Sequence, residues 1–248
     1  MKLDEVNNNK QFLSFRALDA TAAADGTDER YLEMYFVVDS TLYKLLGESR
    51  DRVEQMIMDA AHQMDNVYRK INVRIVVVGI EIWTKNDRMT IPRSIRKTYE
   101  RFREYAVKFT KNDADNAHLL SGVVFEEKHL MGRASIGGLC NPEYSSGVTR
   151  YNTNKPFSYF VGTLVHEVGH NFGMEHDTAN CKCPGRFSTC VMYTYIQIAA
   201  GQYWSDCSRR QMNKHFKAGK GRCIENKPDI NIASKSKCGN LIVDGKLV

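Results

Sequence analysis

The chain has no apolar run long enough to cross a bilayer, which excludes a membrane-spanning helix. Its first residues, MKLDEVNNNKQFLSF, lack the apolar core of a secretory signal peptide, so nothing in the chain directs it to a compartment. No cysteine precedes Cys140, and neither an internal repeat nor a low-complexity tract is present, which excludes repeat architectures. What remains is ordinary: 42% hydrophobic and 26% charged residues place the chain among globular proteins, not disordered ones. At 248 residues it is long enough to bury a real core in one large or two small domains.

The cysteines crowd into one stretch, six of the seven lying between Cys140 and Cys223. The spacing around Cys181, Cys183 and Cys190 lacks the paired CxxC units of structural zinc sites. An even set with Cys238 left over reads as a disulfide framework and implies an oxidising compartment. The chain is therefore expected to be part of a secreted or membrane-anchored precursor and to work outside the cell. The net charge is +6, and basic residues concentrate from Lys85 to Lys111, including Arg93, Arg96, Lys97, Arg101 and Arg103. Such a run could face acidic glycans or nucleic acid. Ile95, Tyr99, Phe102 and Ala106 recur at helical spacing within it, however, so the charges are read as the wet face of an amphipathic helix, and no nucleic-acid partner is expected.

The first thirty residues are polar and end in ATAAADGTDER, and residues 1–29 have the texture of a leader or linker. Ordered structure is expected from Arg30, where YLEMYFVVD has the β-branched and aromatic content of a strand. A helix follows from about Arg50 to Ile71, with Val53, Met56, Ile57, Ala60, Met64 and Val67 as its apolar stripe. Val73 to Trp83 reads as a strand buried on both faces. The basic helix comes next, and His118 to Phe125 gives a third strand. Strand, helix, strand, helix, strand predicts an α/β fold with a mostly parallel, twisted sheet. Gly132 to Gly147 is rich in Gly and Ser. A helix is expected from near Pro156 to about Asn171, and another from Ser205 to Ala218 within a smaller, irregular, disulfide-stapled C-terminal part.

The chemistry concentrates in TLVHEVGHNFGMEHD, Thr163 to Asp177. His166 and His170 are four residues apart, so on a helix their imidazoles lie one turn apart on one face, where two ring nitrogens can reach one metal ion. Phe157, Phe160, Val161, Leu164, Val165 and Val168 fall on the other side, so the helix packs on a core and offers the histidines to a cleft. Glu167 follows the first histidine and is placed to act on a water at the metal without ligating it. Gly173 can take the left-handed conformation that reverses the chain and returns His176 as a third ligand. Three histidines leave the fourth zinc position open, as a catalytic site requires.

HEVGHNFGMEHD resembles the metzincin zinc signature HExxHxxGxxH, and CVMY supplies Met192 where that clan has its Met-turn. Asp177 after the third histidine resembles the adamalysin branch, the ADAM proteases and snake-venom metalloproteinases. The likeness covers Arg30 to Pro228: RYLEMYFVVD resembles the first strand, GRASIGGLCNPEYSSGV the substrate-side strand and its loop, and WSDCSRRQMNKHFKAGKGRCIENKP the closing helix. SKCGNLIVDG, within residues 229–248, resembles the opening of a disintegrin domain. The resemblance implies a zinc metalloendopeptidase fold, with Met192 as a packing floor beneath the metal. It implies the bridges Cys140–Cys223, Cys181–Cys207 and Cys183–Cys190. It also implies a structural calcium site at Glu33, Asp115, Asn226 and the carbonyl of Cys223, an oxygen set suited to a hard cation. Protein or peptide substrates are expected to lie extended along the edge strand near Ala134 to Gly138.

The chain departs from the family pattern in three ways. It shows no signal, propeptide or upstream cysteine to latch the zinc. The disintegrin-like segment breaks off at VDGKLV, so integrin binding is not expected. Thr194 and Tyr195 stand after the Met-turn where the family often has Pro, Ala or Ser, so no substrate preference carries over. The rival reading is a catalytically silent adhesion or toxin-like binding module on the same scaffold, which need not keep Glu167 and all three histidines.

Overall fold

The computed structural model describes residues 29–127, 129–184, 190–194 and 203–228, together with the backbone of two short strands, β6 (Ile242–Val243) and β7 (Lys246–Leu247). The leader (except Glu29), Tyr195, Cys238 and most of the disintegrin-like segment lie outside the described residues. The elements run β1 (Arg30–Val38), α1 (Ser40–Leu45), α2 (Arg50–Tyr68), β2 (Val73–Ile82), α3 (Ile95–Thr110), β3 (Asn116–Ser121), β4 (Gly132–Ala134), β5 (Ser146–Arg150), α4 (Phe157–Asn171) and α5 (Asp206–Lys217). The sheet order is β2-β1-β3-β5-β4; every pairing is parallel except that of β4, which runs antiparallel to β5. The expected α/β fold with a mostly parallel sheet is what the chain forms.

Alternation along β1 divides the interior into two layers. Leu32, Met34, Phe36 and Val38 pack with α2 and α4, whereas Tyr35 and Val37 pack with α3. The stripe expected on α2 is buried from Val53 to Val67, and Ile95, Tyr99, Phe102 and Ala106 are buried on α3, leaving the basic side chains of that helix in water. Side-chain oxygens cap the helices: Asp39 accepts from the amide of Leu42, Ser49 from Arg52 and Ser205 from Ser208.

Several boundaries differ from the sequence reading, each for a local reason. The α-helical part of α2 stops at Tyr68, because a 3₁₀ turn takes over at Arg69–Ile71 and Asn72 adopts φ 59°. The strand read as buried on both faces is the sheet's outer strand, so Arg74 to Val78 stay half-exposed. β3 begins at Asn116 and ends at Ser121, since at Gly122 the chain runs against α1, where a Cβ would meet the amide nitrogen of Leu42 at 2.6 Å. The Gly/Ser texture before Gly147 conceals β5. Small residues are needed there because a Cβ on Gly147 would stand 2.4 Å from Cε1 of His118, a fully buried side chain whose Nε2 lies 2.9 Å from Oγ1 of Thr149.

Three disulfides, Cys140–Cys223, Cys181–Cys207 and Cys183–Cys190, staple the C-terminal part. The first ties the segment before β5 to the 3₁₀ turn Arg222–Glu225, and the second ties the loop after α4 to α5. Trp204 closes this layer, packing at a tilt against Tyr68 and donating its indole N–H to the carbonyl of Val67.

Candidate metal centre

The centre is built on α4, whose apolar residues Phe160, Val161, Leu164, Val165 and Val168 fix one side in the core. The helix ends in two bonds that define a tight reversal: the amide of Gly173 donates to the carbonyl of His170 (2.9 Å) and that of Met174 to Gly169 (3.2 Å). Gly173 sits at φ 82°, where an L side chain would be strained, and a Cβ there would also press on His215. The reversal brings His176 back to the helix. The ligand nitrogens of His166, His170 and His176 lie within 4.8 Å of one another, and the Nε2 atoms of His166 and His176 are 3.1 Å apart.

The ring orientations are set from behind. Nδ1 of His166 donates to the carbonyl of Val191 (2.8 Å), and Nδ1 of His170 donates to that of Met174 (2.7 Å). With the proton held on Nδ1, each Nε2 carries a free lone pair turned toward the centre. Burial pushes the pKa of His166 down to about 3 and that of His170 down to about 4, so both rings are neutral at physiological pH. Neutral, pre-oriented imidazoles are the donors that zinc takes; His166 and His170 supply two, and His176 stands within reach as the third, so the set fits the ion. A second cluster, Cys181, Asp206 and Cys207, offers no comparable site because its cysteines are bonded to each other.

Glu167 points away from the apolar side and is 6% exposed. Burial pushes its carboxyl up to about 8, opposed by the charge of Arg133. It lies against Gly132 of β4 so closely that a Cβ on that glycine would stand 2.4 Å from the Glu167 Cγ. Met192 is fully buried beneath α4, its sulfur 2.7 Å from where a Cβ on Gly169 would be. Asp177 ties this floor to α5: its amide donates to the carbonyl of Met192, and its Oδ1 accepts from the hydroxyls of Ser205 (2.5 Å) and Ser208 (3.4 Å). The cleft above holds about 380 Å³ and is bordered by Met131 to Ala134, Ile136, Tyr159 and Thr194 with the three histidines and Glu167.

Some working parts carry no mark in the sequence. The carbonyls of Val191 and Met174 are main-chain groups. Asn171, fully buried, donates to the carbonyl of Ser135 and accepts from Asn116, which locks the end of α4 to the β4 segment and β3. Gly132 had a signal, lying within the quoted GRASIGG segment, but its contact with Glu167 could not be read from spacing. Glu33 brings Asp115 and Asn226 together elsewhere in the fold. Asp115 accepts from the amide of Glu33 (2.9 Å), and the Asn226 side chain donates to the Glu33 carboxylate (3.1 Å). Cys223 lies in the turn that Asn226 terminates.

Residues 30–228 match the model of the reprolysin (M12B) family of zinc metalloproteases. The chain belongs to that family. It is 33% identical over 222 residues to disintegrin and metalloproteinase domain-containing protein 12 of Mus musculus, covering 87% of this chain and 24% of that protein. It is 32% identical over 219 residues to the zinc metalloproteinase-disintegrin-like atragin of Naja atra, covering 87% of this chain and 35% of that protein. The chain thus spans about a quarter to a third of the length of these relatives. A solved chaperone–substrate complex shares the fold at a TM-score of 0.58 and 14% identity, over 81% of this chain and 36% of that one. The family is one of zinc metalloproteases, and the three histidines fit that metal. Among the described residues no helix is long and apolar enough to cross a membrane.

Proposed function

We propose that this chain is an endopeptidase that hydrolyses peptide bonds of extracellular or cell-surface proteins, with Glu167 as general base. The observation that carries the reading is a buried carboxyl group beside three converging histidines in an open cleft. His166, His170 and His176 would hold the zinc, which when bound acidifies a water and polarises a carbonyl. Glu167 takes the proton from the attacking water and delivers it to the departing amine. The outer edge of β4, unpaired among the described strands, offers main-chain groups to an extended peptide. Three disulfides support an extracellular setting. A silent binding module is disfavoured by Glu167 itself, since such a module need not keep a buried carboxyl group whose burial costs stability. The test is cleavage of casein and quenched peptides. Activity is expected to vanish with a zinc chelator and return with stoichiometric zinc; chelator-insensitive cleavage would sink the reading.

We also propose that Glu33, Asp115 and Asn226, with the Cys223 carbonyl, hold a structural calcium ion. Burial, reinforced by the Glu33 carboxylate, pushes Asp115 up to about 7 from an ordinary 3.8. Because the folded value is the higher one, unfolding releases a proton between these pH values, and the group subtracts stability as pH rises through them. A cation offsets that loss. Millimolar calcium is therefore expected to raise Tm several degrees at pH 7.5 and much less at pH 5, and Asp115→Asn should abolish the difference. Equal gains at both pH values, or none, would remove the site.

A further inference from the structure

The cleft mouth carries one cation whose use is not explained by the fold. Arg133 lies on β4, exposed, beside the centre, and among the described residues no acid pairs with it. Some other cations find acids, as Arg69 and Arg74 do at Asp65 and Arg210 does at Asp206, and others such as Lys97 and Arg101 face water; what sets Arg133 apart is its place on the cleft. The charge of Arg133 reaches into the site, where it is felt by both Glu167 and His170. Among the described cleft-lining residues Glu167 is the one acid, and it is buried, so the mouth presents a positive field to whatever enters.

The register of β4 decides where that field acts. Gly132 pairs with Thr149, Arg133 with Val148 and Ala134 with Gly147. Gly132 turns toward Glu167 and must stay bare. Arg133, one residue on, presents its side chain to the opposite face of the strand. A peptide added along the outer edge of β4 alternates in the same way. With its reacting bond held near Glu167, and so near Gly132, the residue across from Arg133 is one or two removed from that bond. Its side chain stands on the same face as the guanidinium, with Cβ atoms about 5 Å apart. The exposed Leu130 (43%) and Ile136 (57%) border the same cleft, so apolar side chains are accommodated on either side.

We propose that Arg133 is a specificity-determining residue that selects peptides carrying an aspartate or glutamate within two residues of the scissile bond, flanked by apolar positions. The inference rests on the protease reading above and adds a substrate class to it. An exposed ion pair of this kind supports a preference of about three- to fivefold, decreasing with salt.

The experiment uses matched quenched peptides with Glu, Gln or Lys at each of the two positions on either side of the cleaved bond. The readout is the ratio of kcat/KM between charge variants within one protein, so overall changes in activity cancel. Wild type is expected to prefer Glu over Gln about three- to fivefold at one position. Arg133→Lys should keep part of that preference, and Arg133→Glu should invert it toward Lys. Fluorescence anisotropy of the same peptides on zinc-loaded Glu167→Gln reads the preference without turnover. Absent cleavage with charge selectivity intact would sink only the protease reading. Identical Glu:Gln ratios in wild type and Arg133→Glu, in cleavage and in binding, would overturn the role of Arg133.

Discussion

Glu167→Gln is expected to lower kcat about 10²–10⁴-fold while leaving zinc content unchanged and raising the stability of the metal-free protein. The first effect is the loss of the proton acceptor: an amide occupies the same space but cannot take a proton from water. The second follows from burial. The folded pKa of about 8 exceeds the ordinary 4.5, so between those values the unfolded chain binds fewer protons and Glu167 subtracts stability as pH rises. At pH 7 the amide removes that penalty, worth on the order of 3 kcal/mol, and near pH 4 the difference largely disappears because the carboxyl is mostly protonated in both states. Beside a bound cation the carboxylate ionises more readily, so the gain should shrink in the zinc-loaded protein. Turnover, zinc stoichiometry and melting at two pH values check all three parts. A variant that keeps more than a tenth of wild-type kcat would exclude Glu167 as the base.

What the sequence made legible follows from which interactions are local. His166, Glu167, His170 and Gly173 lie within eight residues, and helical periodicity with one left-handed turn fixes their relation, so their geometry could be read in advance. The apolar stripes of α2 and α3 were equally plain, because each is a periodic pattern within one element. What escaped depends on contacts between distant segments. β5 looks like a loop because Ser146 and Gly147 are small, yet the bare Gly147 answers to His118 on the neighbouring strand. β2 looks buried on both sides because its composition does not report that it is outermost. The carbonyls that hold the histidine rings, from Val191 and Met174, leave no trace in residue type at all. Asp177 lay in between: its place in the motif marked it, but its bonds to Ser205 and Ser208 appear only once α5 is docked.

Gly132 is the sharpest instance of a distant contact with a functional consequence. A Cβ built there would stand 2.4 Å from Cγ and 2.5 Å from Oε1 of Glu167, closer than carbon atoms tolerate. Its φ is not in the left-handed region, so alanine suits the backbone and the clash alone decides the outcome. The obstructing atoms are the end of a flexible side chain, and so the carboxylate should give way while the strand holds. Displacement of a reacting group by about 1 Å costs on the order of 10²-fold in rate. Gly132→Ala is therefore expected to lose about two orders of magnitude in kcat with zinc content and Tm near wild type. Gly138→Ala supplies the contrast. A Cβ there would meet the main-chain oxygen of Tyr144 at 2.2 Å, and backbone cannot swing aside, so that variant should lose stability first. If Gly132→Ala instead turned over at the wild-type rate, the glycine would be mere strand filler, and Glu167 would not need to be held where the fold holds it.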